Sequence, residues 1–282
     1  MPVKGKKPAF PSAGSARPYP PGTLDVPTWD VFLFPSPQAR APGRSPFLRF
    51  AFSAPYTPRA VDQGHVHWVL PGIEPLLELG GRFHMAARDT IYRQGDASIA
   101  VFFVESGTVK LSYIDPTGKR ISLAPRGPGE IFGELALIGE RHRNHHAEAL
   151  EESTLIQVHR DHFLSFVQSR PELLLQLLEV LGQRIREFEG LVQDLAFRDI
   201  ESRLSRQLLL LSSEYGVKTK NGILIGFRLT HRDLAEMIGS ARENTTMALN
   251  RLARQGLLDK RRYQIVIKDL QGLREKCGPD WL

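Results

Sequence analysis

Downstream of Pro171, apolar residues return at Leu174, Leu178, Leu181, Ile185, Phe188, Val192 and Leu195. Steps that alternate between four and three place all seven on one stripe of an α-helix, a heptad seam sustained over three repeats. Pro171 suits the first turn of such a helix, which over residues 171–197 would run roughly 40 Å at ~1.5 Å per residue. The stripe has two readings, an amphipathic helix packed on its own domain or the seam of a two-stranded coiled coil. Seven seam side chains at ~1.5–3 kcal/mol gross each would supply a substantial dimer interface, so we take residues 171–198 as the dimerisation helix of a homodimer.

The chain has 282 residues, 41% apolar and 24% charged, which is enough for two ordinary domains with cores. It holds no run near the ~20 apolar residues of a membrane span, and its N-terminus lacks the apolar stretch of a signal peptide. A cytoplasmic protein with no membrane role is expected. One cysteine, Cys277, cannot form an intramolecular disulfide, a cysteine-ligated iron–sulfur cluster or a structural zinc site. The net charge of +6 divides into +5 over residues 1–70, −4 over 71–198 and +5 over 199–282. A mildly acidic middle joined to a basic last third is expected where only that third meets a polyanion such as DNA.

Thirteen of the twenty prolines fall in the first 58 residues, among Ala, Gly, Ser and Arg and without sustained periodicity. Residues 1–75 therefore read as a disordered, Pro/Arg-rich extension. It is either a basic arm for nucleic acid or, as we favour, dispensable sequence, including upstream sequence added by a misplaced start where Val66 or Val69 is the true one. Residues 76–170 change character to short apolar runs punctuated by Gly95, Gly107, Gly118, Gly129, Gly133 and Gly139. Residues 100–104 and 108–114 read as strands, and Asp115-Pro116-Thr117-Gly118 as the turn of a hairpin into residues 121–123. Short strands at this spacing suggest a β-roll or jelly roll.

Residues 199–282 alternate helical and extended stretches. Thr230 is placed to cap a short helix carrying Leu234, Ala235 and Ile238, which Gly239 ends; Ser240 is placed to cap a second helix running to about Gln255. A small residue at Ala235 lets the two helices cross closely, as in a helix-turn-helix. Extended segments flank the pair, and Lys260-Arg261-Arg262 at a hairpin tip makes it a winged helix. The second helix presents Arg242, Glu243, Thr246 and Met247 from its first turns, where base edges of double-stranded DNA would lie. The fold class expected is α+β: a β-roll, a long dimerisation helix and a C-terminal winged helix-turn-helix.

Three strings in this order resemble the family of the catabolite activator protein and the fumarate-nitrate regulator: Gly129-Glu130-Ile131-Phe132-Gly133-Glu134-Leu135, then Leu195-Ala196-Phe197-Arg198-Asp199-Ile200 with Ser202-Arg203-Leu204, then Ile238-Gly239-Ser240-Ala241-Arg242-Glu243. The resemblance covers residues 80–270 and is similar to the cyanobacterial nitrogen-control regulator along the C-terminal half. It implies a cyclic-nucleotide-binding roll, a dimerising central helix, a winged helix that reads an inverted repeat, and contact with RNA polymerase. On this pattern Arg242 donates to guanine and Glu243 accepts from cytosine, while Asn244 and Thr246 lie at phosphates and Thr230 and Ser240 count among the DNA-binding residues. Many relatives carry a second arginine where this chain has Met247, so the half-site should differ.

The same resemblance implies an effector site, and two relatives differ over its contents. In cyclic-nucleotide binders a Gly-Glu-Leu string, here Gly133, Glu134 and Leu135, meets the ribose, and an Arg-Ser or Arg-Thr pair, here Arg143 and Asn144, holds the phosphate. Positions that contact cyclic AMP (cAMP) across the dimer are here Phe188 and Glu189. The nitrogen-control regulator's 2-oxoglutarate site implies instead Arg143, Arg184 and Glu189. Cyclic nucleotide, small carboxylate and no effector all stay open, and Arg184 and Glu189 read equally as charges flanking the coiled-coil seam. His142, His145 and His146 read as a solvated loop rather than a metal site. With no Gly-rich phosphate loop and no His-Glu-x-x-His, an enzyme is not expected. The alternatives are a cyclic-nucleotide-binding regulatory protein without a DNA role and a cupin-like metal-dependent enzyme.

Overall fold

The computed structural model describes residues 66–278. A short helix α1 (Glu74–Leu77) leads into eight strands: β1 (Gly81–Met85), β2 (Thr90–Tyr92), β3 (Ala100–Ser106), β4 (Val109–Ile114), β5 (Arg120–Ser122), β6 (Ile131–Phe132), β7 (His146–Ala149) and β8 (Ser153–His159). They form two antiparallel four-stranded sheets, ordered β1-β8-β3-β6 and β2-β7-β4-β5. Successive strand residues face opposite sides, so adjacent phenylalanines of β3 enter different cores. Phe102 joins Tyr92, Phe132, Val104, Leu111 and Leu155 between the sheets. Phe103 joins Ile131, Ile156 and Val158 on the outer face of the first sheet, beneath Leu70, Ile73 and Phe163. The expected roll is present, with Gly118 at φ 84 in the hairpin of Asp115.

Leu70 and Ile73 are fully buried in that outer core, and Val69 N donates to Gly129 O at 2.8 Å. The boundary drawn at residue 75 is therefore too late: isolated apolar residues after a proline-rich stretch carry no period, yet these are part of the roll. The rest of the supposed extension, residues 1–65, lies outside the described residues.

Beyond the roll come α2 (Arg160–Gln168) and α3 (Glu172–Phe197), whose 26 residues match the expected central helix. Leu173, Val180 and Arg184 turn toward the roll, while Leu174, Leu178, Ile185, Phe188, Val192 and Leu195 are exposed along another face and Leu181 is half-buried. Arg198 leaves the helix in extended conformation, and the Asp199 carboxylate caps α4 (Ile200–Tyr215) by accepting from Ser202 N.

The last part comprises β9 (Gly216–Thr219), β10 (Gly222–Ile225), α5 (His231–Met237), α6 (Arg242–Arg254), β11 (Leu258–Arg261), β12 (Gln264–Ile267) and α7 (Leu270–Lys276). The four strands form one sheet, ordered β11-β12-β10-β9, over a core of Leu204, Leu208, Leu234, Leu249, Leu252 and Ile267. Lys260 and Arg261 belong to β11, so the wing tip is Arg262-Tyr263 rather than Lys260-Arg261-Arg262.

Candidate nucleic-acid interface and effector cleft

The helix pair is held by local hydrogen bonds and one glycine. Thr230 and Asp233 make a full capping box on α5: Asp233 N donates to Thr230 Oγ1 at 3.1 Å and Thr230 N donates to Asp233 Oδ2 at 3.0 Å. Gly239 ends the helix at φ 60, and Ser240 N donates to Ala235 O at 2.9 Å. Ser240 does not cap the second helix. That position falls to Ala241, which has no side-chain oxygen, and the Ser240 hydroxyl donates to Ala241 O at 3.4 Å. A serine one residue before the first helical turn satisfies the sequence signal without the geometry.

On α6, Thr245, Ala248, Leu249 and Leu252 are buried, while Arg242, Glu243, Asn244 and Met247 are exposed together. Thr245 is tolerated inside because its hydroxyl donates to Ala241 O at 3.0 Å. The Thr246 hydroxyl donates to Arg242 O at 2.8 Å, so the His231 ring 2.9 Å away serves it as donor through Nδ1. Burial, with Lys260 and Arg242 nearby, lowers the His231 pKa. Thr230, His231, Arg242, Lys260, Arg262 and Tyr263 line a groove of about 480 Å³ between the helix pair and the wing. At the tip, Tyr263 takes a left-handed φ of 63 and its ring lies under the guanidiniums of Arg228 and Arg262, at 4.7 and 5.4 Å. A face with this many cations and exposed reading side chains is suited to a duplex backbone and its groove edges.

The second candidate site lies between the roll and α3. Arg143 is buried, donating to Ala100 O at 2.7 Å and Gly133 O at 3.2 Å, with its guanidinium 4.4 Å from the Tyr92 ring centre. Burial lowers its pKa and raises that of buried Glu134. Gly133, at φ 75, and half-buried Leu135 complete that string. Asn144 is exposed beside Arg143 and Glu189 is exposed on α3. Phe188 lies 6.3 Å from the Tyr113 ring.

Arg184 departs from its expected role as a charge flanking the seam. It turns into its own roll, donating to Ile131 O at 2.7 Å and standing 3.8–3.9 Å from Glu130, Glu134 and Glu187. The helix positions that pointed to a seam charge place it on the roll-facing side of α3 instead. Arg126, which the sequence reading overlooked, donates to Glu187 at 2.8 Å and ties the roll to the same helix.

The histidine loop is solvated at His142 alone of its three histidines. His145 and His146 are buried, and Tyr92 Oη lies 3.0 Å from His145 Nε2. Burial, then Arg126 and Arg143, depresses the His145 pKa to about 4. Three histidines among charged residues look polar in sequence; strand β7 and the aromatic core draw two of them in. Among the described residues no group of three or more His, Cys, Asp or Glu is placed to hold a metal ion.

Arg126 Nε, Arg143 Nε, His145 Nδ1 and Glu134 Oε2 are buried without a hydrogen-bond partner among the described residues. The orphaned donors on the two arginines fit a small anion whose oxygens would supply the missing acceptors, while Glu134 Oε2 is itself an acceptor and would take a hydroxyl of the same molecule.

Residues 82–170 match the cyclic nucleotide-binding domain family and residues 202–276 the Crp-like helix-turn-helix domain family. The chain is 32% identical over 189 residues to the global nitrogen regulator of Synechocystis sp., covering 66% of this chain and 84% of that one. It is 29% identical over 188 residues to the CRP-like cAMP-activated global transcriptional regulator of Mycobacterium tuberculosis, covering 67% and 84%. The solved structure of a CRP/FNR-family transcriptional regulator from Thermus thermophilus superimposes with a TM-score of 0.60 at 29% identity, over 71% of this chain and 99% of that one. With both domain families in order, and with such relatives matched over most of their length, this chain belongs to the CRP/FNR family of transcriptional regulators.

Proposed function

We propose that this regulator works as a homodimer joined along α3, reads a pseudo-palindromic DNA operator with α6, and is gated by a small anion held between the roll and α3. The observation that carries the reading is the six exposed seam residues on one face of α3 together with the exposed Arg242, Glu243, Asn244 and Met247 on α6. Pairing two copies along the seam relates the two α6 helices by one two-fold axis, and successive major grooves about 34 Å apart would accept them. Arg242 serves guanine and Glu243 cytosine; Met247 meets a thymine methyl. Asn244 and Thr246 serve phosphates.

The effector reaches Arg143 and Arg126 and shifts the population toward the arrangement that matches operator spacing. One relative's name specifies cAMP and another's specifies nitrogen regulation, so cAMP and 2-oxoglutarate are the two anions to try. RNA polymerase is the further partner, and the cytoplasm the place of action. No described helix is long and apolar enough to cross a membrane.

Selection of operators from random duplexes by the purified full-length protein, without ligand, with cAMP and with 2-oxoglutarate, tests the whole reading. One inverted repeat enriched with a single ligand names the effector class. The same repeat enriched in all three arms makes DNA binding independent of these anions, and failure to enrich any repeat defeats the operator reading.

A further inference from the structure

Lys110 is the second residue of β4 on the roll, and its ammonium group is buried. Its Nζ lies 2.8 Å from Asp233 Oδ1 and 2.9 Å from Glu236 Oε2. Both carboxylates come from α5, three residues apart and so on one face of that helix. Arg88, in the turn before β2, adds a two-pronged contact with Asp233 at 2.9 and 2.8 Å and reaches Glu148 at 3.1 Å. The Ser122 hydroxyl on β5 donates to Glu236 at 3.4 Å, and Arg232 on α5 closes the outer side at 3.2 Å from the same carboxylate. Arg88 holds a left-handed φ of 77, a conformation that a residue with a side chain adopts only when its surroundings impose it.

Stability alone does not account for such a cluster. Dehydrating an ammonium and two carboxylates offsets most of their mutual attraction, and apolar packing of equal volume serves stability as well or better. An apolar patch leaves α5 free to slide or rotate on the sheet. Five directional contacts to two carboxylates do not, because each fixes a distance and an approach angle. The α5 and α6 helices move together, since Leu234 and Leu249 share one core. Orienting α5 on the roll therefore orients α6. With the cluster closed, Arg242, Glu243, Asn244 and Met247 all remain exposed.

We propose that Lys110, with Arg88, is a positioning residue for operator recognition: from the roll it clamps Asp233 and Glu236 and sets the direction in which the recognition helix leaves each protomer. The inference rests on the two-helix operator reading above. A single recognition helix meeting one half-site tolerates a swinging domain; two helices that must enter successive grooves together do not.

The test compares the full-length wild type with Lys110→Met and Arg88→Gly on two duplexes, the selected inverted repeat and one carrying a single half-site. Glycine at 88 accepts the left-handed backbone, and Arg88 is at the partly exposed rim, so this variant stays informative where Lys110→Met does not fold. The expected result is at least a tenfold loss of affinity for the repeat in Lys110→Met, and a smaller loss in Arg88→Gly, with half-site affinity within twofold of wild type. Unchanged affinity for the repeat overturns the proposal. An equal loss on both duplexes also overturns it, because the damage then lies in the DNA-binding domain itself. A wild type that gains nothing from the second half-site instead removes the operator reading on which the clamp depends.

Discussion

Leu195, in the seam of α3, closes over Gly239 in the turn between α5 and α6: a Cβ on that glycine would stand 2.6 Å from Leu195 Cδ2. The same leucine is 40% exposed on the face that we assign to the partner helix. Arg203 at the start of α4 adds a bond to Ile238 O at 2.8 Å, pinning the same turn. The end of α3 and the turn between α5 and α6 are thus joined by direct contacts.

Gly239→Ala is expected to strain the turn twice, through its φ of 60 and through the clash with Leu195. A left-handed residue with a side chain costs about 1–2 kcal/mol, and the clash adds to it. The loss should appear as a lower urea midpoint at unchanged slope. Leu195→Ala in the same chain should recover the steric part and leave the dihedral part, so the two substitutions will be non-additive.

Ile185→Lys tests the seam. In the coiled coil that we propose, two-fold symmetry brings the two new ammonium groups close together in an apolar seam. Sedimentation should show at least a tenfold weaker dimer, with affinity for a single half-site retained. The substitution leaves each protomer folded, because Ile185 is 58% exposed and absent from both roll cores.

What the sequence made legible follows from period and from chain-local chemistry. The seam of α3, the hairpin of Asp115, the Thr230 cap and the Gly239 stop each depend on residues within a few positions of one another. The misplacement of Arg184 and His145, and the oversight of Lys110, trace to partners far along the chain. Arg184 meets Ile131, 53 residues away, and Lys110 meets Asp233, 123 residues away. A lysine between Val109 and Leu111 in a largely buried strand was a signal that something opposite must neutralise it, but not where that something lies. His145 likewise looked solvated because its partner Tyr92 lies 53 residues earlier.

Arg242→Ala should remove the guanidinium assigned to guanine while leaving the dimer intact. A bidentate contact to one base is worth about 1–3 kcal/mol, or roughly tenfold to a hundredfold per half-site, and selection from random duplexes should lose its preference at that base pair. Met247→Arg should do the reverse, adding a guanine preference at a neighbouring position. Retention of the wild-type operator by Arg242→Ala would refute the assignment.

The pH dependence of stability should carry the signature of His145. Its folded pKa of about 4 lies below the ordinary histidine value of 6.5 because the ring is buried, with Arg126 and Arg143 adding repulsion. Above pH 6.5 both states are neutral and the group contributes fully. Between 6.5 and 4 the unfolded chain takes up a proton that the folded chain refuses, so stability falls with falling pH by up to roughly 3 kcal/mol. Glu214 acts in the opposite sense, since burial beside Glu130 and Glu187 lifts it to about 8. Its contribution is present below the ordinary glutamate value of 4.5 and is lost as pH rises through 8. The two windows overlap, so the comparison must be between the wild type and His145→Gln, which keeps Glu214 and retains an acceptor for the Tyr92 hydroxyl. Urea unfolding from pH 7.5 to 4 should show the wild type losing stability relative to the variant below pH 6.5. Parallel curves would mean that the imidazole titrates alike in both states, and the buried His145–Tyr92 contact would then have no energetic counterpart.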